Sequence, residues 1–300
     1  MDYNQTVNVN STAVNAGGVI SKMHASSSMD DHVVKYYLIL DNKPIALLNN
    51  NIDKKISLQF SGVIKCIYCY KKTNKSYNQG YCYLCAIKLS RCDLCIISPQ
   101  KCHYHLGTCR EPAWGQQHCF IPHIVYLANS SGIKVGISRK NNLLNRWIDQ
   151  GAIQGLPIIT TKSRYQSGLV EIVLAKIISD KTNWRKMLSF GVDPVDLISV
   201  RNQLLNTCCK ELQEITDQFP AGDLEILQDL TIKDVINIQY PVSDYLKNIK
   251  LFSLNNLIKS HGNFTIEDQL LAIKGQYLIF PSGVLNVRSL TGYEVNSTLS

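Results

Sequence analysis

Long hydrophobic runs are missing from this 300-residue chain, and none approaches the length of a membrane span. The first thirty residues also lack the basic start and the long apolar core of a secretory signal peptide, so we expect a cytoplasmic protein. Residues 1–31 are rich in Asn, Ser, Thr and Gly, a composition that predicts a disordered tail. No repeat period is visible, so a repeat architecture is not expected.

Positive charge exceeds negative charge only modestly, and the formal net charge is +8. Such a mildly basic balance favours an anionic partner without identifying one, since many basic proteins bind no nucleic acid. Three hundred residues are enough for a sizeable core and for two domains. Composition therefore sets outer limits, and function has to be argued from the motifs.

Cysteine is the residue type whose distribution is most informative. Nine of the eleven cysteines fall between Cys66 and Cys119, and six of these nine form C-x-x-C pairs. In a reducing compartment, clustered cysteines of this kind indicate metal ligation before disulfide formation.

The first two pairs are Cys66 with Cys69 and Cys82 with Cys85, separated by twelve residues. Each C-x-x-C can turn both thiolates toward one ion, and two pairs complete the tetrahedral shell of a structural Zn²⁺. Residues 77–81 (YNQGY) supply a turn that brings the second pair back to the first. The alternative, a redox-active pair of thioredoxin type, needs a βαβ context that is absent here.

A second cluster offers more candidate ligands than one ion needs. They are Cys92, Cys95, Cys102, His103, His105, Cys109, His118 and Cys119. We favour Cys92, Cys95 and Cys109 as ligands of a second structural Zn²⁺, with Cys102 or Cys119 as the fourth. An interleaved arrangement, in which the first and third C-x-x-C pairs share an ion, stays open. The histidines are either spare ligands or residues that support the ligands from outside.

After the cysteines, residues 123–151 predict a β-hairpin followed by a helix. Ile124–Ala128 and Ile133–Ile137 are apolar runs that suit buried strands, and the turn formers Asn-Ser-Ser-Gly lie between them. A glycine inside the second strand, Gly136, indicates a bulge or a close backbone approach. Apolar residues then recur at helical spacing up to Trp147, and Gly151 suits a helix C-terminal cap.

The chain resembles, segment by segment, an uncharacterised bacterial domain family of unknown function, DUF2797. The segments that carry the resemblance are QGYCYLC, CDLC, CHYHLGTCREPAWG, HIVYLANSSGIKVGISR, RWIDQGA, DKTNWR and IKGQYLIF. The resemblance covers nearly the whole chain except the first thirty residues. It implies no established activity.

The hairpin and helix also look like the core of GIY-YIG nucleases. Residues 124–126 (Ile-Val-Tyr) stand for the first tripeptide of that family and residues 134–136 (Lys-Val-Gly) for the second. Arg146 falls where the family has its helix arginine, and Glu171 falls where it has a metal-binding glutamate. The sequence departs from the family pattern at Ile124, which replaces a glycine, and at Lys134, which replaces a tyrosine. Trp147 and Asp149 follow Arg146 where a His or Tyr is frequent.

This resemblance implies roles for four residues. Glu171 would hold Mg²⁺ at the scissile phosphate, and Arg146 would balance charge on the phosphoryl oxygens. Tyr126 would position or deprotonate the attacking water, and Lys134 would bind phosphate as a point charge. Retained binding without cleavage is an open alternative, because the departures remove groups that could transfer protons.

Further residues are predicted to contact nucleic acid. They are Arg110, Trp114, Arg139, Arg164 and Arg185. Arginine suits phosphate contacts, and a tryptophan can stack on an unpaired base. The alternative for Trp114 is plain packing of its loop.

Together these patterns predict an α+β protein with a zinc-binding Cys-rich module, a GIY-YIG-like α/β unit, and a small β domain formed by N- and C-terminal strands. The predicted segments are a tail (1–31), a β unit that pairs with the C-terminal strands (32–64), the Cys-rich module (65–120), the α/β unit (121–190), a helix (191–222) and a β-rich segment (223–300). The expected function is a zinc-stabilised nucleic-acid-binding protein with possible Mg²⁺-dependent phosphodiester cleavage. The rival from another class is a protein-interaction or assembly adaptor, whose zinc sites are purely structural.

Overall fold

A computed structural model describes residues 14–27, 33–178, 183–188, 191–243 and 253–299 of the chain. The protein is α+β, as predicted, and divides into two compact units. The first unit contains residues 1–83 and 240–300, and the second contains residues 84–239. Within the described ranges, no helix combines the length and hydropathy that a membrane-spanning helix needs.

The strands are β1 (Val14–Val19), β2 (His24–Ser26), β3 (Lys35–Leu40), β4 (Lys43–Leu47), β5 (Lys55–Ile64), β6 (His123–Asn129), β7 (Ile133–Arg139), β8 (Gln154–Thr161), β9 (Leu224–Ile226), β10 (Ile236–Asn237), β11 (Asn263–Gln269), β12 (Ala272–Lys274), β13 (Tyr277–Phe280), β14 (Gly283–Asn286) and β15 (Tyr293–Leu299). The helices are α1 (Tyr83–Lys88), α2 (Pro112–His118), α3 (Leu143–Asp149), α4 (Arg164–Ala175), α5 (Trp184–Leu188), α6 (Leu197–Thr207), α7 (Cys209–Thr216) and α8 (Leu254–His261). Short 3-10 turns connect several of them.

The first unit is built on an antiparallel sheet with strand order β1-β15-β5-β11. Strand β5 alternates buried Ile56, Leu58 and Phe60 with more exposed residues, as a half-buried strand does. It pairs with β15 on one side and β11 on the other, so N- and C-terminal segments share one sheet. Two three-stranded sheets, β2-β3-β4 and β12-β13-β14, complete this unit.

Part of the predicted tail is ordered into strands. Residues 14–27, which the sequence predicts to be disordered, contain β1 and β2. Strand β1 pairs along its whole length with β15, from Val14 opposite Leu299 to Val19 opposite Glu294. Backbone hydrogen bonds to a distant strand supply an order that a polar composition does not reveal. The rest of that prediction lies outside the described residues.

The second unit is built on an antiparallel sheet with β6 at its centre. Strand β6 pairs with β7 and β8, and every one of its residues is buried. Strands β9 and β10 both pair with β8. The predicted hairpin is confirmed, with Gly132 at a positive φ of 139° in its turn. Gly151 has a φ of 67° directly after the α3 region, which fits its predicted capping role.

The two faces of the β6–β7 hairpin have different roles. Val125 and Leu127 of β6, with Val135 and Ile137 of β7, point into the core, where α4 packs against them. Since side chains alternate along a strand, Tyr126, Lys134 and Gly136 lie on the opposite face. We call this opposite surface the Tyr126 face.

The predicted helix over residues 191–222 begins later than expected and is two helices. The sequence predicts a cap at Asp193, because Pro194 suits the first position of a helix. The observed cap is Asp196, whose carboxylate accepts hydrogen bonds from the backbone amides of Ile198 and Ser199. The backbone of Asp193 instead accepts a hydrogen bond from Asn129 Nδ2 at 2.8 Å, which holds it beside β6. The helix is then interrupted between α6 and α7 at Cys208.

Candidate functional site

Four cysteines of the first two C-x-x-C pairs form one cluster. The sulfur atoms of Cys66, Cys69, Cys82 and Cys85 all lie within 4.8 Å of one another, and the Cys69 and Cys82 sulfurs are 3.8 Å apart. Four thiol ligands at this separation suit a tetrahedral ion such as zinc. The predicted first metal centre is therefore present as a set of residues that could hold a metal ion.

Local backbone geometry explains how the two pairs meet. Cys66 lies two residues after the end of β5. Its carbonyl oxygen accepts a hydrogen bond from the backbone amide of Tyr70 at 2.8 Å, which closes a tight turn over the first pair. The backbones of Tyr77 and Tyr81 then bond to each other in both directions. Asn78 and Gln79 between them have φ of 43° and 61°, the left-handed geometry of a reversing turn. This turn brings the second pair back, as the sequence predicts.

The electrostatics of this cluster favour the thiolate form of Cys66. Burial disfavours ionisation of the Cys66 thiol, but it is outweighed by hydrogen bonds from surrounding backbone amides. The amides of Cys69, Cys82 and Tyr68 contribute these bonds, and together they lower the pKa of the Cys66 thiol to about 7. Because the thiolate is the form that binds metal, the site is prepared for a cation.

The second group of cysteines is less tightly gathered. Cys95, Cys102 and Cys119 line one small gap together with Arg164 and Phe120. Burial raises the pKa of the Cys95 thiol to about 12, and the charges of Asp93, Cys102 and Cys119 act in the same direction. A bound cation would stabilise such a thiol in the thiolate form, which is the form that binds metal.

Burial raises the pKa of the Cys119 thiol, and the charge of Cys109 acts in the same direction. Cys109 therefore lies near this group. Its sulfur lies 3.8 Å from Ser90 Oγ. Two hydrogen bonds between Ser90 and Glu111 connect their loops. The Ser90 amide donates to Glu111 Oε2 at 2.6 Å, and the Glu111 amide donates to Ser90 Oγ at 2.8 Å. The described contacts thus associate Cys102 and Cys119 with Cys95. The second zinc site stays a prediction.

Asp93, Cys95 and His103 are also close enough to hold an ion together. The Asp93 carboxylate is already engaged, however, by the Arg110 guanidinium at 2.7 Å and by the backbone amide of Cys95 at 3.1 Å. Arg110 also donates to the carbonyl oxygen of Leu89 at 3.2 Å. Arg110, predicted to contact nucleic acid, therefore helps to shape the Cys-rich loops.

Tyr126, the first candidate catalytic residue, is completely buried, and its hydroxyl accepts a hydrogen bond from Gln150 Nε2 at 3.0 Å. Arg146 reaches the same hydroxyl, and the charge of Glu171 is also felt there. Burial raises the pKa of the Tyr126 phenol, and Arg146 and Gln150 only partly offset this effect. Three separate elements, β6, α3 and α4, thus bring Tyr126, Arg146 and Glu171 together.

Arg164, at the start of α4, connects this group with the second cysteine group. Its guanidinium is near Cys119, Arg146 and Glu171, and burial lowers the pKa of Arg164. One terminal nitrogen donates to the carbonyl oxygen of Ile96. Its Nε is buried, with no hydrogen-bond partner among the described residues. This cation is therefore held inside the unit.

The other predicted residues are distributed differently. Lys134 is buried on the Tyr126 face. Arg139 lies opposite His123 at the end of the hairpin. Trp114 stacks on His118, with ring centroids 4.3 Å apart, and Arg185 lies over its neighbour Trp184 at 4.4 Å. The described contacts bring neither Trp114 nor Arg185 to Tyr126.

Two further residues lie at or near the candidate site and are not predicted from the sequence. Gln150 is four residues after Arg146, so both lie on one side of the α3 region, and this spacing was the available signal. His123 is fully buried and its Nδ1 contacts the carbonyl oxygen of Ile121 at 2.7 Å. Burial lowers the pKa of His123 to about 4, so its imidazole is neutral at physiological pH.

Comparison with known proteins adds the family. Residues 53–295 match the family described as "Protein of unknown function (DUF2797)". The chain belongs to this family. The DUF2797 region contains all nine clustered cysteines and begins after β4, so the β2-β3-β4 sheet lies outside it. No curated protein and no solved structure matches the chain. The sequence resemblance to DUF2797 is thereby confirmed, and the family description names no activity.

Gly136 explains how the Tyr126 hydroxyl fits against the hairpin. A Cβ atom at this position would lie 2.6 Å from the hydroxyl and 2.7 Å from Cζ of Tyr126. We expect Gly136→Ala to lower the free energy of unfolding by about 1–3 kcal/mol, measured by urea denaturation, because the ring has to move. In a Tyr126→Leu background this cost should shrink, since the clash is removed.

A matched control is Gly115→Ala in α2, where the added Cβ would meet its nearest neighbour at an ordinary 3.5 Å. This variant should be at least as stable as the wild type, because alanine favours a helix. An equal cost of Gly136→Ala with and without Tyr126 would show that the close approach to the ring is not the reason for glycine.

Proposed function

We propose that this protein binds nucleic acid on the Tyr126 face and cleaves phosphodiester bonds there with Mg²⁺, in the manner of the GIY-YIG nucleases that the unit resembles. One observation carries the proposal. Tyr126, Arg146 and Glu171, which come from a strand and two helices, are electrostatically coupled around one hydroxyl. The same three positions correspond to the tyrosine, arginine and glutamate of the GIY-YIG pattern.

Glu171 would be the protein ligand of the metal. Mg²⁺ takes oxygen ligands and usually keeps several waters, so a single carboxylate with substrate phosphate suits it. Arg146 and Arg164 lie near this carboxylate, which places positive charge where phosphate oxygens would enter. When bound, the ion would polarise the scissile phosphate and stabilise the leaving oxygen.

Arg146 would then act directly on the substrate, and the buried Tyr126 hydroxyl would hold Arg146 and Gln150 in place. Because burial raises the pKa of the Tyr126 phenol, this hydroxyl stays protonated at neutral pH. It therefore acts as a neutral hydrogen-bonding group that positions the side chains beside it, and not as a base. Arg146 balances the negative charge that develops on the phosphoryl oxygens.

A residue that departs from the GIY-YIG pattern can still contribute to substrate binding in this mechanism. Lys134 shares the Tyr126 face and is two residues from Gly136 along β7. An ammonium group there binds phosphate as a point charge, although it replaces a tyrosine hydroxyl. The four-cysteine cluster would hold zinc as a structural ion, because four protein ligands leave no open position for substrate.

A second candidate is a protein-interaction or assembly adaptor without catalysis. It is favoured by the engagement of three predicted nucleic-acid residues within their own segments. Arg110 pairs with Asp93, Trp114 stacks on His118, and Arg185 lies over Trp184. In this role the zinc sites and the hairpin would only maintain a scaffold.

The proposal predicts salt-sensitive binding and Mg²⁺-dependent cleavage by the zinc-loaded protein. Labelled single-stranded and duplex DNA and RNA should bind, with affinity that falls steeply as salt rises, in fluorescence anisotropy. Cleavage on denaturing gels should need Mg²⁺, and Arg146→Ala should slow it by about 10²–10³-fold. Arg185→Ala, which removes an arginine engaged elsewhere, should leave the cleavage rate of bound substrate unchanged.

Two results would contradict this proposal in different ways. Salt-sensitive binding without cleavage, at any Mg²⁺ concentration, would overturn the catalytic part and leave a nucleic-acid-binding protein. No binding to any of the four nucleic acids would overturn the whole proposal and leave the adaptor.

A further inference from the structure

The second unit contains a cleft beside the second cysteine group, and the candidate metal ligand Cys102 is among the residues that line it. The volume of the cleft is about 570 Å³, within the range of about 300–1,000 Å³ typical of small-molecule sites. Four aromatic side chains line it, together with five polar side chains, of which Lys162, Gln166 and Asp223 form one connected group. The aromatic residues are Tyr104, Phe120, Tyr165 and Phe219.

These aromatic rings form two pairs. The centroids of Tyr104 and Phe120 are 4.5 Å apart, and those of Tyr165 and Phe219 are 6.3 Å apart. Phe120 is 43% exposed, so part of its ring is accessible to a ligand. Rings around an open cleft offer faces for a flat, aromatic ligand. Stacking of a nucleobase on such a ring contributes about 1–3 kcal/mol per base.

The polar side of the cleft is organised around Asp223. One carboxylate oxygen accepts from Lys162 Nζ at 2.7 Å, and the other accepts from Gln166 Nε2 at 3.2 Å. The hydrogen bond from Lys162 lowers the pKa of the Asp223 carboxyl, so it is ionised at neutral pH. A carboxylate, an amide and an ammonium at one edge can pair with the donors and acceptors of a planar heterocycle.

The cleft adjoins the proposed catalytic group through α4. Tyr165 and Gln166 are in the first turn of this helix, and Arg164 at its start is the buried cation near Glu171. Glu171 is six residues after Tyr165, which is about 9 Å along a helix that rises 1.5 Å per residue. A strand with its phosphate at Glu171 thus has a neighbouring nucleotide within reach of the cleft.

We propose that this cleft binds an unpaired nucleobase of the same strand whose phosphate lies at Glu171, stacked against Tyr165 and Phe120. This inference rests on the proposed function and narrows it, because the preferred substrate then carries a single-stranded or bulged nucleotide. A fully paired duplex cannot offer a base to the cleft without unpairing it, which costs a few kcal/mol.

The test compares two duplex probes that differ in one bulged nucleotide, at fixed salt and without Mg²⁺. The wild-type protein should bind the bulged probe more tightly, by about fivefold or more. Tyr165→Ala and Phe120→Ala should remove this preference while leaving affinity for the paired duplex unchanged. Tyr165→Phe, which keeps the ring, should retain it. Ile232→Ala, at an apolar side chain of the same unit that is 67% exposed and does not line the cleft, is the control.

A direct measurement covers the case in which an alanine variant does not fold. A 5-iodouracil at the bulged position should crosslink to the wild-type protein at Tyr104, Phe120 or Tyr165, identified by peptide mass spectrometry. Crosslinks confined to other segments would overturn the cleft assignment. Equal affinity for both probes would also overturn it, while leaving the proposed binding function intact.

Loss of the proposed function gives a different result. Suppose that neither probe binds while a free mononucleotide still shields Tyr165 from chemical modification or quenches tyrosine fluorescence at the cleft. In that case the proposal that the cleft binds a base within a nucleic-acid strand is wrong. The cleft would then be a nucleotide site independent of nucleic acid.

Discussion

Cys69→Ser is expected to remove one zinc ion per chain and to destabilise the first unit. Its sulfur belongs to the four-cysteine cluster, and a serine hydroxyl at this position is a poor replacement for a thiolate ligand. Structural zinc binds zinc-finger peptides with an apparent free energy of about 10–16 kcal/mol, comparable with the whole stability of a typical domain. Cys69 is only partly buried, so the serine itself is not costly.

The destabilisation should extend beyond the knuckle, which we define as residues 66–85. Ser76 Oγ donates to the carbonyl oxygen of Thr291 at 3.0 Å, and Arg288 Nε donates to Gln79 Oε1 at 2.7 Å. The knuckle is thus tied to the segment that leads into β15. Since β15 pairs with β5 and β1, disorder in the knuckle should lower the melting temperature of the sheet.

Metal content by mass spectrometry and thermal unfolding by circular dichroism measure both effects. Cys209→Ser is the matched control, because Cys209 is an exposed cysteine on α7 outside both cysteine groups. It should keep the full zinc content and the wild-type melting temperature. Unchanged zinc content in Cys69→Ser would show that this cluster is not a zinc site.

The elements that the sequence predicts well are those whose signal is local. The hairpin β6–β7 follows from two apolar runs around four turn-forming residues, and Gly136 correctly indicates a close approach. The first metal cluster follows from two C-x-x-C pairs and the turn between them. In each case residues within about twenty positions contain the whole pattern, so no distant contact has to be inferred.

The elements that it predicts poorly depend on distant contacts. Strand β1 has little local hydrophobicity and is fixed by β15, nearly 300 residues away. Two aspartates, Asp193 and Asp196, both suit a cap by local rules. A tertiary hydrogen bond from the backbone amide of Val195 to Gln154 Oε1, at 2.8 Å, holds the segment between them in place. Local propensity cannot make that choice.

The candidate site is predicted from the sequence only in part. Spacing along the chain does not predict that Tyr126, Arg146 and Glu171 are neighbours. They come from three elements, and no local sequence pattern shows how these elements pack. The resemblance to the GIY-YIG pattern gave the three positions, but not the partner Gln150 or the buried setting of Arg164. Burial decides their chemistry, since it keeps the Tyr126 hydroxyl protonated.

Glu171→Gln is expected to abolish Mg²⁺-dependent cleavage while nucleic-acid binding is retained. Glutamine keeps the size of the side chain but removes the charge that the cation needs, and a lost electrostatic contribution of this kind costs about 10²–10³ in rate. Binding should be equal to the wild type or stronger, because a negative charge beside Arg146 and Arg164 is removed. Single-turnover cleavage on gels and anisotropy titrations measure the two effects separately.

The matched control is Glu214→Gln, at an exposed glutamate on α7 of the same unit. It removes the same charge from the protein but should change neither cleavage nor binding. Both variants should melt at nearly the wild-type temperature, so that a loss of cleavage is not a loss of fold. If Glu171→Gln cleaves at the wild-type rate, the metal is held elsewhere and the GIY-YIG assignment of Glu171 is wrong. If it loses binding together with cleavage, Glu171 positions Arg146 and Arg164 for the strand and is not a metal ligand.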